Sequence, residues 1–154
     1  MGYVRKGVLD DVLQLHHKIK QSDLDEIRAS DNVDAFQALV LPFTKPNSDI
    51  YTMISDEEKI IGMFGVVASN APDWGVAWML TSEELFDEMH KPQFIKLCRK
   101  WVKELNKDYE FIFNWIDIRN YKSVKWLEFC GFQIMETRNY GHADLPFHLL
   151  MRRR

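Results

Sequence analysis

Only two cysteines occur in the 154 residues, Cys98 and Cys130, too far apart for a Cys-x-x-Cys pair. That excludes a zinc ribbon or a dithiol redox motif and leaves two reduced, buried thiols. No long apolar run is present. The longest, Ile60 to Ala68, contains Gly62 and Gly65 and falls far short of the roughly 20 apolar residues that a membrane-spanning helix needs. Positive charge is not in excess either. Twenty lysines and arginines against 23 aspartates and glutamates leave −3, which argues against general binding to nucleic acid, where cations must neutralise phosphates. Arg152-Arg153-Arg154 is too short to reverse that balance. Arg5, Lys6, Asp10 and Asp11 stand where a secretory leader would need apolar residues, so the chain is expected to work in a cytoplasm or inside a particle assembled there.

Chemical motifs are scarce as well. Ser69, Ser82 and Ser123 lack the Gly-x-Ser-x-Gly turn of hydrolases, and Cys98 lies in an apolar helix stripe where a thiolate is disfavoured. Of the five histidines, His16 and His17 are adjacent and point to different sides of a helix. His90, His142 and His148 are isolated, so no metal-ligand spacing appears.

What the chain does have is core-forming material: 46% hydrophobic residues and 13% aromatics, including five tryptophans, enough for a single domain over 1–154 without staples. Tyr3 to Arg5 predicts a short strand. Asp10 then caps a helix carrying Val12, Leu15 and Ile19. Ser22-x-x-Asp25 reads as a capping box for a second helix with Leu24 and Ile27, and a third places Phe36, Leu39 and Val40 on one side. Alternation from Ile50 to Ile54, the polar turn 56–59 and the run 60–68 predict a hairpin. Asn70-Ala71-Pro72-Asp73 turns the chain into a strand over 74–80. Pro92 opens a long helix with Ile95, Cys98, Trp101, Val102 and Leu105 inward, ending near Asn106. A strand at 111–116, a helix at 120–130 and a closing antiparallel pair at 132–138 and 147–151 complete the order β-α-α-α-β-β-β-α-β-α-β-β. Antiparallel strands followed by β-α-β crossings imply an α/β (α+β) fold, a mixed, mostly antiparallel sheet with helices on both faces.

Within the helix at 120–130, Asn120 suits an N-cap, Val124, Leu127 and Cys130 share a face, and Gly131 suits the left-handed residue that ends it, followed by Phe132. This segment resembles the closing helix of the GNAT N-acetyltransferase superfamily, and the element order resembles that fold along nearly the whole chain. The chain is also similar to the internal virion protein A family of podophages. The matching residues are Asp25 to Ser30, Ser82-Glu83-Glu84-Leu85, Trp126-Leu127 with Gly131-Phe132, and Pro146-Phe147.

The resemblance implies a site for acetyl-coenzyme A where the fourth and fifth strands splay apart, with the pyrophosphate on a glycine-rich loop at the following helix start, where bare amides and the helix dipole favour anions. Here that stretch, Thr81 to Lys91, has no glycine and carries Glu83, Glu84, Asp87 and Glu88, whose charge repels a phosphate. It is long enough for an extra helical turn, with Thr81 and Glu84 as a capping box. Leu127 stands where catalytic members carry a proton-donating tyrosine, and an aliphatic side chain cannot protonate a leaving thiolate. Tyr121 and Tyr140 are the available phenols. Candidate cofactor-binding residues are Trp78 and Leu80 on the fourth strand, Lys91 with the amides before Pro92, and Asn120 and Ser123 at the helix start. The last two also suit plain helix-start polar groups.

Asp23, Asp25, Glu26 and Asp31 form a negative helix face, read as solvent-facing or as a docking surface. Trp74 and Trp78 share one side of a strand, with Trp101 on a neighbouring helix. The leading expectation is a phage-encoded GNAT-fold protein with decayed acetyl-transfer machinery, acting in virion assembly or inside the capsid and located in the host cytoplasm or the virion. Its partners would be other phage virion proteins or a host protein. Two alternatives stand beside it: an active N-acetyltransferase using acetyl-CoA, and a modulator that docks on a host protein through its acidic helices.

Overall fold

The computed structural model describes residues 2–154 and forms a seven-stranded sheet in the order β1-β2-β3-β4-β5-β7-β6. The strands are β1 (Tyr3–Lys6), β2 (Ser48–Ile54), β3 (Ile60–Ala68), β4 (Trp74–Thr81), β5 (Phe111–Asp117), β6 (Gln133–Tyr140) and β7 (Leu145–Arg153). β4 and β5 run parallel; every other neighbouring pair of this sheet is antiparallel. The helices are α1 (Leu9–Leu15), α2 (Gln21–Asp31), α3 (Ala35–Val40), α4 (Glu84–Glu88), α5 (Pro92–Leu105) and α6 (Tyr121–Phe129).

Alternation along the strands sends side chains to both faces, and each face has its own core. On one side α5 and α6 bury Phe94, Cys98, Leu105, Val124 and Trp126 against Ile61, Ile112 and Leu150. On the other, α1 to α3 bury Val12, Leu15, Ile27 and Leu39 against Ile50, Met63 and Leu80. Phe94, only 1% exposed, anchors α5 more deeply than Ile95, Trp101 and Val102, which are half-buried. Truncating so enclosed a phenyl ring to alanine costs about 3–5 kcal/mol.

The expected element order holds, with α4 as the extra turn between β4 and α5. The capping expectations at α1, α2 and α4 do not hold. α1 starts at Leu9, and Asp11 rather than Asp10 reaches back, accepting from Val8 N–H at 3.0 Å. α2 starts one residue before Ser22, and its cap position is Lys20, so Ser22 and Asp25 form no box. α4 begins after Glu83, and Thr81 stays in β4 with its hydroxyl accepting from Lys20. At α1 and α4 long-range partners are present: Thr52 donates to Asp11 and Lys20 to Thr81. Phe36 is also turned out, 43% exposed, with its ring against His16. Gly131 does end α6 in the left-handed region, at φ +97°.

Candidate functional site

Pairing between β4 and β5 stops after Trp74–Phe111, Gly75–Ile112 and Val76–Phe113. Beyond that point the strands diverge, leaving backbone groups of Ala77–Thr81 and Asn114–Asp117 without each other as partners. Buried backbone donors and acceptors must be satisfied somewhere, and at Thr81 and Asp117 α2 and its cap do it.

Lys20, Asp23 and Glu26 recur every three residues and so share one face of α2 and its cap. The Lys20 N–H donates to the Thr81 carbonyl at 2.9 Å, and the Thr81 N–H donates to Asp23 Oδ2 at 3.0 Å. Across the gap, the Asp117 N–H of β5 donates to Glu26 Oε1 at 3.1 Å. Asn120, at the start of α6, donates through Nδ2 to both Asp23 Oδ1 (2.8 Å) and Glu26 Oε1 (3.1 Å). Together these groups lace β4, β5 and α6 to one helix face.

Charge in this cluster is balanced. The Lys20 ammonium, almost fully buried, pairs with Asp23 and also reaches Thr81 Oγ1 at 3.2 Å. A second carboxylate beside that pair would be uncompensated, and burial first, the Asp23 charge second, push the Glu26 carboxyl up to about 8. At neutral pH Glu26 is therefore mainly a neutral acid. Asp117, also buried, holds Arg119 through both carboxylate oxygens.

Behind the lacing lies a cavity of about 60 Å³, bordered by Asp23, Glu26, Asn120, Ser123, Trp126 and Leu127. Asn120 does not cap α6 through its side chain; its Oδ1 faces buried space with no hydrogen-bond partner among the described residues. The volume suits a little water. A pocket for a drug-sized ligand runs to roughly 300–1,000 Å³, so a pantetheine arm does not fit here. Between α4 and α6 a separate pocket of about 180 Å³ is lined by Phe86, Asn120 and Lys122, with Lys122 Nζ 4.9 Å over the Phe86 ring.

At the phosphate end several amides are already engaged. The amides of Leu85, Phe86, Met89 and Lys91 donate to carbonyls of 82, 83, 85 and 88, and Pro92 has no N–H to offer. Lys91 stands at the α5 start between Asp56 and Glu88, bonded to both carboxylates. The Asp56 hydrogen bond raises the Lys91 ammonium above its ordinary value, and the same bond holds Asp56 down at about 2. The residues present do not fit acetyl-coenzyme A.

A larger pocket, about 500 Å³, opens on the opposite face beneath α2 and α3. Trp78, Leu80, Trp115 and Tyr140 contribute aromatic and apolar wall, and Glu26 forms part of its floor. Glu26, Trp78, Met79 and Asn114 border both spaces and so form the partition between them. The Trp78 ring lies flat over Gly65, where a Cβ would sit 2.1 Å from the Asp49 carbonyl and 3.0 Å from Trp78 Nε1. Only glycine permits that approach.

Of the candidate cofactor residues, the structure brings Trp78, Asn120 and Ser123 to the small cavity, puts Leu80 under the α1 to α3 layer, and leaves Lys91 apart at the β2–β3 turn. Tyr121 points to solvent, 59% exposed. Tyr140 stacks on Trp115 with ring centroids 4.6 Å apart, across the sheet from Leu127. Trp101 packs on Tyr51 on the face opposite Trp78. The negative face of α2 is split: Asp25 and Asp31 are exposed, whereas Asp23 and Glu26 are buried. The reading of all four as a surface is thereby corrected. The three-residue spacing from Lys20 through Asp23 to Glu26, beside the apolar Ile19 and Ile27, was the available signal.

No family model matches the chain, and no curated protein sequence matches it. Solved structures do. A spermidine N-acetyltransferase SpeG chimera from Vibrio cholerae superposes with a TM-score of 0.70 at 12% identity, over 99% of this chain and 95% of that one. A GCN5-related N-acetyltransferase from Kribbella flavida gives 0.70 at 15%, over 99% and 98%. An aminoglycoside acetyltransferase in complex with coenzyme A gives 0.70 at 16%, over 100% and 95%. The match spans both the sheet and the helices, and the chain has the GNAT N-acetyltransferase fold.

Proposed function

We propose that this protein keeps the GNAT architecture but works by association rather than by acetyl transfer, as a component of a phage particle or of its assembly. The observation that carries the reading is the occupation of the β4–β5 divergence by Asp23, Glu26 and Asn120. The family resemblance puts a coenzyme at this divergence, and a neighbour of this fold is described in complex with coenzyme A; here the chain's own side chains stand in that gap. The engaged amides of Leu85, Phe86, Met89 and Lys91 and the aliphatic Leu127 support the reading, since a bonded amide is a poor anion ligand and Leu127 cannot protonate a thiolate. The podophage assignment rests on the sequence resemblance. No helix among the described residues is long and apolar enough to cross a membrane.

Calorimetric titration with acetyl-coenzyme A tests the first half of the reading. The expected result is no binding tighter than about 100 μM, or about −5.5 kcal/mol. Saturable binding below that value together with acetyl transfer to any amine would restore the acyltransferase reading. Gradient-purified phage particles test the second half. The chain is expected among their proteins by mass spectrometry, and particles formed normally without it would remove the assembly role.

A further inference from the structure

We propose that the protein pairs with a second copy of itself through the open edge of β6, in one antiparallel register centred on Thr137. The inference does not depend on whether the cleft holds a coenzyme. β6 is the last strand of the sheet, and residues 133–139 are all exposed. An exposed edge is a template for another strand unless something guards it.

The direction of the free backbone groups follows from Pro146. It lacks an N–H, and its carbonyl accepts from Ile118 N–H beyond β5, so its backbone faces away from β6. Its register partner Asn139 must then turn its own N–H and carbonyl outward, as does Thr137 two residues earlier. The short Thr137 Oγ1 to His148 Nδ1 contact, 2.6 Å, fits the close side-chain approach of such a non-bonded pair. A two-fold axis through Thr137 lets the two Thr137 residues exchange N–H and carbonyl.

Charge selects that register. Glu136 and Arg138 flank Thr137 on one face, bonded within the strand at 3.0 Å, with side chains 48% and 62% exposed. In the proposed pairing Glu136 of each copy faces Arg138 of the other, making a square of alternating charges. Sliding the axis to residue 136 sets glutamate against glutamate, and to 138 arginine against arginine. Directly opposed like charges destabilise a strand pair and unlike charges stabilise it, so the two residues both guard the edge and specify its partner. The bulge between Ile134 and Glu136 ends the regular stretch and confines pairing to its C-terminal half.

The sheet's other edge is less suited to this. β1 has four residues, and its Arg5 is held by Asp11.

Sedimentation equilibrium of the purified chain tests the proposal. A dimer with a Kd of about 10–100 μM is expected, in keeping with a small interface. Glu136→Arg and Arg138→Glu should each weaken it at least about tenfold, and the double exchange Glu136→Arg/Arg138→Glu should restore it. A misfolded single variant would be recognised by its circular dichroism, and the double exchange, which keeps the charge pattern, still decides. A monomer up to about 200 μM, a single reversal with unchanged association, or failure of the folded double exchange to recover the dimer would each overturn the proposal.

Discussion

Glu26 on α2 accepts, at 3.1 Å, the Asp117 N–H that an adjacent strand would otherwise take, so a helix side chain replaces a strand along β5. That exchange gives the cleft both its closure and a titratable element. Because burial raises the folded carboxyl to about 8 while the unfolded chain has the ordinary value of 4.5, the native state binds the extra proton between those limits. Stability from this group is present in full below 4.5 and is lost as pH rises through 8, at a rate of at most about 1.4 kcal/mol per pH unit. Glu26→Gln keeps an acceptor for Asp117 and Asn120 and removes the proton. Urea unfolding measured from pH 5 to 9 should therefore show a flatter profile for the variant than for the wild type; parallel profiles would place the proton elsewhere.

Asp11 provides the opposite sign. Burial alone would raise its carboxyl, but hydrogen bonds from Arg5, from Val8 N–H and from Thr52 outweigh that and hold it below the ordinary value. Its contribution is present at neutral pH and is lost as pH falls through the acid range. Asp11→Ala strands the buried Thr52 hydroxyl, leaves the Val8 amide without its side-chain acceptor and frees Arg5. A loss of about 2–3 kcal/mol is expected in chemical denaturation at neutral pH, shrinking towards pH 3. An unchanged midpoint would mean that water reaches these groups.

The β-α order, the Pro92 helix and Gly131 were legible because each rests on local chemistry: alternation, a proline start or a left-handed stop. The clasp was not. Asp23 and Glu26 look like part of a solvated face until the fold supplies Thr81, Asp117 and Asn120, residues 58 to 97 positions away along the chain, as their partners. Acid residues in a helix are usually exposed, and only long-range backbone groups left without a strand partner reverse that preference here. The missing glycines of 81–91 were visible in the sequence, but only the structure shows the amides of Leu85, Phe86, Met89 and Lys91 already bonded.

Both thiols should be inert in the native protein. Burial pushes Cys98 up to about 12 and Cys130 up to about 11, and they are only 8% and 5% exposed. The thiolate is the reactive form, so labelling by an aromatic disulfide at pH 8 should proceed only through opening of the α5–α6 layer. Mild urea should accelerate it in step with unfolding. Rapid labelling of either thiol without denaturant would show that this layer opens far more readily than its packing implies.

Leu127 separates two explanations for absent chemistry. If loss of the proton donor were the only defect, Leu127→Tyr would recover acetyl transfer, because attack by an amine on a well-placed thioester needs little beyond proximity and a proton. The structure gives a different expectation. Leu127 borders a cavity of about 60 Å³ whose other walls are the Asp23, Glu26 and Asn120 cluster, and a phenol placed there fills space rather than creating a coenzyme channel. The phosphate end is equally unaffected, since the α4 amides and Lys91 keep their internal partners. Leu127→Tyr should therefore show no thermal stabilisation by millimolar acetyl-coenzyme A and no transfer, while losing about 1–3 kcal/mol to overpacking. Coenzyme-dependent stabilisation of this single variant would mean that the clasp yields to a ligand, and that the side chains across the β4–β5 gap are a gate instead of a seal.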